Sequence, residues 1–216
     1  FEKLALGLFL TGHPIDECSA ELQNITHGSI AHILASVEGS RGKSDTRLAG
    51  LLIGIRTRQD RKGRMMGFAT LDDKSARVDV AIYSETFETY KDLLKGDEVL
   101  IVEGSARMDG YSGMLSITAD KLLSMEQARE NFARCLMLDW DSVHSVERGH
   151  DFVHKLQEIM QPFSGGQCMV VANYLASSAK ASVQLGDAWR VHPTDELITR
   201  LQKLIGRDDA VNIKYR

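Results

Sequence analysis

Cysteine, proline and cationic surplus are all scarce in this chain, and each scarcity closes off a class of function. The three cysteines among 216 residues, Cys18, Cys135 and Cys168, lie far apart with no Cys-x-x-Cys spacing, so neither a disulfide framework nor a zinc site is supported. Proline occurs only three times, which leaves no room for a polyproline linker. The formal charge of −4 excludes a globally basic nucleic-acid binder, so any cationic surface has to be local. No apolar run approaches the roughly 18 residues that span a bilayer. The opening Phe1-Glu2-Lys3-Leu4-Ala5 has no basic region leading into a signal-peptide core, and a cytoplasmic protein is expected. The missing initial methionine is read as the mark of a piece excised from a longer polypeptide.

What remains is an ordinary globular composition, 43% hydrophobic and 26% charged, long enough for two small domains. Residues 1–46 read as a lead-in that docks on something before it. They run from the apolar Leu4–Leu10 through Thr11-Gly12-His13-Pro14 to the breaker-rich 38–44.

Residues 47–125 carry five strand-like runs, near 47–57, 64–71, 77–83, 98–106 and 114–122, with a helical pattern over 85–94. In the first run Ala49, Leu51, Ile53 and Ile55 recur at period two, opposite Gly50 and Gly54. In the third, Val78, Val80 and Ile82 alternate with polar residues. This layout predicts an all-β five-stranded Greek-key barrel of OB-fold type. After a polar helical stretch from 124 to 134, residues 126–216 read strand, helix, strand, strand, helix, strand. That order predicts a small α+β domain of ferredoxin-like β-α-β-β-α-β type.

The densest chemical signal is the turn after the first strand. Arg56, Arg58, Arg61, Lys62 and Arg64 face a single Asp60 within nine residues, the forked and mobile donors that backbone phosphates require. The competing reading is a solvated hairpin tip, and 12 cations against 12 anions over 47–125 keep it open. Phe68 has two registers available. If Ala69 and Leu71 face the core, Phe68 turns outward with Met66 and Thr70 and can stack on a base; a slip of one residue buries it. Tyr83 and Tyr111 are weaker stacking candidates, and Arg107 opens the loop 107–113 that holds Tyr111. In the last domain, Trp189 and Arg190 combine residue types common at protein contacts, although a tryptophan in a small domain is also usual core material.

No catalytic constellation emerges. Asp72-Asp73 reads as a turn and not as a metal-binding pair, because adjacent residues on a turn point apart. His13, His144, His150 and His154 make no His-Glu-x-x-His pattern, no serine or cysteine has a visible base, and Gly110-Tyr111-Ser112-Gly113 opens no helix. Neither a cofactor nor a metal is expected.

The block Leu6-Gly7-Leu8-Phe9-Leu10-Thr11-Gly12-His13-Pro14, the later Gly67-Phe68-Ala69-Thr70-Leu71-Asp72-Asp73 with Arg77-Val78-Asp79-Val80, and the tail's Gly186-Asp187-Ala188-Trp189-Arg190-Val191 with Pro193-Thr194-Asp195 together closely resemble one family. It is the C-terminal region of the bacterial replicative DNA polymerase III alpha subunit, of the proteobacterial type without its own proofreading domain. The resemblance implies that the barrel meets single-stranded template DNA and that the last domain meets the tau subunit of the clamp loader. It also implies that the polymerase carboxylates and the main sliding-clamp motif lie earlier in the parent chain. The expected partners are therefore single-stranded DNA, tau and the rest of the polymerase III holoenzyme, with no membrane. A module that binds only proteins of the replisome is the alternative.

Overall fold

A computed structural model describes residues 14–38, 42–108, 115–141, 150–175 and 180–215. The chain divides into two compact units, Phe1–Met125 and Glu126–Arg216.

In the first unit, helices α1 (Ile15–Ile25) and α2 (Ile30–Val37) precede a closed barrel. Its strands are β1 (Ser44–Gln59), β2 (Met65–Asp72), β3 (Arg77–Ile82), β4 (Val99–Met108) and β5 (Leu115–Leu123). The barrel runs β1-β2-β3-β5-β4, closed by the antiparallel pairing of β4 with β1. Helix α3 (Ser84–Tyr90) and a 3-10 turn (Lys91–Leu94) link β3 to β4. Alternation places Ala69 and Leu71 of β2 with Val78, Val80 and Ile82 of β3 in the barrel core. Gly67 is held to glycine by a close approach: an added Cβ would meet the Phe87 ring of α3 at 2.8 Å.

The period-two reading of β1 fails at its centre. Leu48 and Leu52 enter the barrel core, and a bulge between Leu52 and Gly54 shifts the register there. Ala49 and Leu51, on the other face, are buried as well. A strand covered on both sides carries no alternation to read.

The lead-in is not independent of the barrel. From α2, Ile30, Ile33 and Val37 join the barrel's own core, and at the end of α1 the Ile25 carbonyl accepts the Arg47 guanidinium at 2.9 Å. The start of α2 is satisfied largely from the β2–β3 turn. Asp73 Oδ2 accepts the Ile30 amide at 2.7 Å, Ser75 Oγ accepts that of Ala31 at 3.1 Å, and Ser29 Oγ accepts that of His32 at 3.2 Å. Three amides that the helix itself cannot pair thus find oxygens, one of them anionic at the positive end of the helix. The same Asp73 accepts the Ser75 and Ala76 amides, while Asp72 accepts the Lys74 amide and pairs with Arg77. Both aspartates are therefore consumed in building the turn and capping the helix.

The second unit comprises α4 (Met125–Phe132, which straddles the unit boundary), β6 (Ala133–Asp141), α5 (His150–Met160), β7 (Ser164–Leu175), β8 (Lys180–Gln184), α6 (Asp195–Ile205) and β9 (Val211–Tyr215). Its element order is as expected, but its sheet order, β8-β7-β6-β9, is not the ferredoxin-like one. A split β-α-β unit would insert β8 between the two parallel strands, whereas β6 and β7 are direct neighbours here. Composition accounts for the difference: all five residues of Lys180-Ala181-Ser182-Val183-Gln184 are exposed, which suits an edge and not a covered central strand. Leu136, Leu138, Val170, Phe152, Leu156, Leu197 and Leu201 form its core.

Asp73→Ala should destabilise α2 against the barrel by about 1–2 kcal/mol, the usual cost of a lost N-terminal cap. Amide exchange at Ile30 and Ala31 should accelerate accordingly, and unchanged exchange would contradict the capping role.

Candidate nucleic-acid interface

The β2 pleat decides which side chains can meet a ligand. Gly67, Ala69 and Leu71 are buried, while Met66, Phe68, Thr70 and Asp72 alternate with them on the outer face, half-buried. Register then extends this face sideways. Phe68 lies opposite Arg56 of β1 and Ala81 of β3, and Ala81 opposite Thr118 of β5. Arg58 lies opposite Met66, and Tyr83, two residues past Ala81, is 54% exposed. Phe68 is thus the aromatic centre of a row of short or polar neighbours, with open space beyond Gly54.

Two of the arginines on this face are held by acids. Arg56 Nη2 reaches Asp79 Oδ2 at 2.5 Å, and the other Asp79 oxygen accepts the Thr70 hydroxyl at 2.6 Å. Arg77 pairs with Asp72 at 2.7 Å. These pairs are exposed and contribute little stability, but they set the direction of the guanidinium groups. By contrast, no hydrogen bond or ion pair engages the side chains of Arg58, Arg61 or Lys62 among the described residues.

The β1–β2 turn is built on Asp60. Its Oδ1 accepts the Lys62 amide at 2.7 Å and the Arg64 amide at 2.9 Å, and its Oδ2 accepts Arg64 Nε at 3.0 Å. Gly63, at φ +76°, makes the left-handed step that brings the strand back. The Arg64 amide is the largest influence holding the Asp60 carboxyl below the ordinary aspartate range. It outweighs partial desolvation, which acts the other way, and the Lys62 amide and Arg64 guanidinium add to it. Beside the turn lies an open groove of about 540 Å³, lined by Arg61, Lys62, Arg64, Met66, Tyr83 and Thr86, and also by the acids Asp60, Glu85 and Asp120.

No cluster of three or more His, Cys, Asp or Glu side chains able to hold a metal occurs among the described residues. Burial, with a further push from neighbouring Cys135, raises the Cys168 thiol to about 11, far from the thiolate a nucleophile needs. No described helix is long and apolar enough to cross a membrane.

Comparison with known proteins agrees with the barrel fold. An OB-fold nucleic acid binding domain family matches residues 46–124, and the DNA polymerase III subunit alpha C-terminal domain family matches 155–206. The alpha subunit of Pseudomonas aeruginosa is 36% identical over 215 residues, all of this chain, and that of Escherichia coli K12 is 33% identical over 209 residues, 97% of it. The chain belongs with the C-terminal region of the DNA polymerase III alpha subunits. It spans 17–18% of the length of these relatives. Among solved structures, the mitochondrial single-stranded DNA binding protein Rim1 of S. cerevisiae aligns with 39% of this chain and 97% of its own, at 10% identity and a TM-score of 0.34, a likeness too slight to bear on function.

Within this alpha-subunit segment, the OB-fold match contains every described residue expected to contact nucleic acid. The structure brings Arg56, Arg58, Phe68 and Tyr83 to one face and Arg61, Lys62 and Arg64 to the groove beside it. Arg107 is exposed but stands opposite Ser116 on the β4–β5 ladder, away from the turn, and Tyr111 lies outside the described residues, as does His13. In the second unit Trp189 is half-buried against the core, and Arg190 is engaged by Asp187 at 2.8 Å and by the Gln167 carbonyl at 2.9 Å. Two elements of the face escaped sequence reasoning: the Arg56–Asp79–Thr70 chain, which spans separate strands, and Asp60 as the organiser of the turn. The Asp60-Arg61-Lys62-Gly63 tetrad was the available signal for the second.

With its folded-state titration depressed, Asp60 stabilises the turn above the ordinary carboxylate value of about 3.9, and that contribution is lost as pH falls through the lower folded value. Carboxyl NMR should place the Asp60 midpoint below that value. A midpoint at or above it would show that the turn bonds do not persist in solution.

Proposed function

We propose that the barrel grips single-stranded DNA across β1–β3, with bases stacking on Phe68 and Tyr83 and phosphates meeting Arg58, Arg61 and Lys62. The observation that carries this reading is the outward Phe68 on a strand face that runs, past Arg58 opposite Met66, to a turn whose Arg61 and Lys62 side chains are unengaged. Base–aromatic stacking is worth roughly 1–3 kcal/mol per base, enough to make a weak binder useful when the DNA is held elsewhere by the same polymerase. Arg56 and Arg64, already paired with acids, orient their neighbours more than they neutralise phosphate. Arg107 and Tyr111 extend the contact only if the strand continues toward the β4–β5 loop.

The second unit, by family resemblance, ties the polymerase to the tau subunit of the clamp loader in the cytoplasmic replisome, with Trp189 and Arg190 beside that contact. Chemistry is then left to a polymerase domain of the parent chain, and this segment guides template and partners to it. One observation favours a segment that binds only proteins: the groove beside the turn is lined by three acids as well as three cations, which offsets its positive charge.

The 216-residue chain should bind oligo-dT weakly, with a log–log salt slope near −2, since about three phosphates at −0.7 each are neutralised. Charge reversal of Arg58, Arg61 and Lys62 should abolish binding. Phe68→Ala should weaken it about tenfold at unchanged slope, because stacking carries no charge. Absence of oligonucleotide binding at low salt, with retained capture of tau, would decide for the protein-only reading.

A further inference from the structure

The Asp60 carboxylate presents a contradiction if charge alone governs the proposed DNA contact. It sits within the cationic turn, where an anion opposes phosphate, and lines the same groove as Arg61 and Lys62. Simple Coulomb reasoning makes it a handicap that substitution would relieve.

Its bonding says otherwise. Beyond the Lys62 and Arg64 amides and the Arg64 guanidinium, Asp60 Oδ2 lies 3.4 Å from the hydroxyl of Ser84, the first residue of α3 and itself only 8% exposed. The Asp60 main chain adds two more bonds, donating to the Arg64 carbonyl at 2.8 Å and accepting from the Gly63 amide at 3.0 Å. One side chain therefore closes the turn, occupies Arg64 and links the hairpin to α3. Arg61 and Lys62, the tip residues between these fixed points, are left with unengaged side chains on a backbone pinned by bonds at Asp60, Lys62, Gly63 and Arg64.

We infer that Asp60 is a positioning residue for nucleic acid: it raises affinity by presenting Arg61 and Lys62 on a preformed turn, and this outweighs its own repulsion of phosphate. The inference rests on the DNA-binding reading above. Its physical basis is that long cationic side chains on a loose hairpin lose more freedom on binding than those on an ordered one. Arg64 neutralises the carboxylate locally, which keeps the repulsive part small.

Two variants separate order from charge. Asp60→Asn keeps a side-chain oxygen for the Lys62 and Arg64 amides, as an Asx turn requires, and deletes the charge. Asp60→Ala deletes both. Measured by oligo-dT anisotropy on the whole chain at low salt, Asp60→Asn should bind as tightly as wild type or tighter, and Asp60→Ala about three- to tenfold more weakly. Amide exchange at Lys62 and Arg64 should stay slow in Asp60→Asn and become fast in Asp60→Ala. Equal affinity of the two variants, or tighter binding by Asp60→Ala, overturns the positioning role alone. No binding by wild type overturns the DNA reading, and the positioning role with it.

Discussion

The pleat of β2 is the constraint on which the rest depends. With Ala69 and Leu71 committed to the barrel core, period two leaves Phe68 no inward position, and the cost of exposing part of an aromatic ring is fixed by the fold. Neighbouring strands then determine its surroundings. Cross-strand register sets Arg56 on one side and Ala81 on the other, so the ring is flanked by a polar arm and a small side chain and stays half-buried on the outer face.

Charge on this surface is arranged more than accumulated. Acids hold Arg56, Arg64 and Arg77 in place, and among the described residues Arg58, Arg61 and Lys62, toward the hairpin end, are left without such a partner. Such a surface would suit the proposed DNA contact if the strand has to move, because each additional neutralised phosphate steepens both affinity and salt dependence. A segment that is one part of a long polymerase chain can use weak contact well, since linkage to other binding sites multiplies its effect.

Legibility from sequence followed the range of the interactions involved. The barrel strands and the helix before β4 were readable because each arises from local alternation or local spacing, whereas Phe68 kept two registers open until the burial of Ala69 and Leu71 turned it outward. The β1 bulge was not, since Leu51-Leu52-Ile53 is apolar on both faces and carries no phase. The sheet order of the second unit was hidden because element order alone does not order a sheet, although the polar composition of 180–184 was a usable sign of an edge strand. Asp73 was read correctly as a turn residue, but its cap on Ile30 joins positions 43 apart, and nothing local announces it. The Arg56–Asp79 pair was missed for the same reason.

The most direct test is an amide chemical-shift map of the 216-residue chain during titration with oligo-dT. The account predicts changes concentrated at Arg56–Arg64, Gly67–Thr70 and Ala81–Tyr83, on one face of the barrel. Shifts confined to the second unit, or to barrel strands away from Phe68, would contradict it.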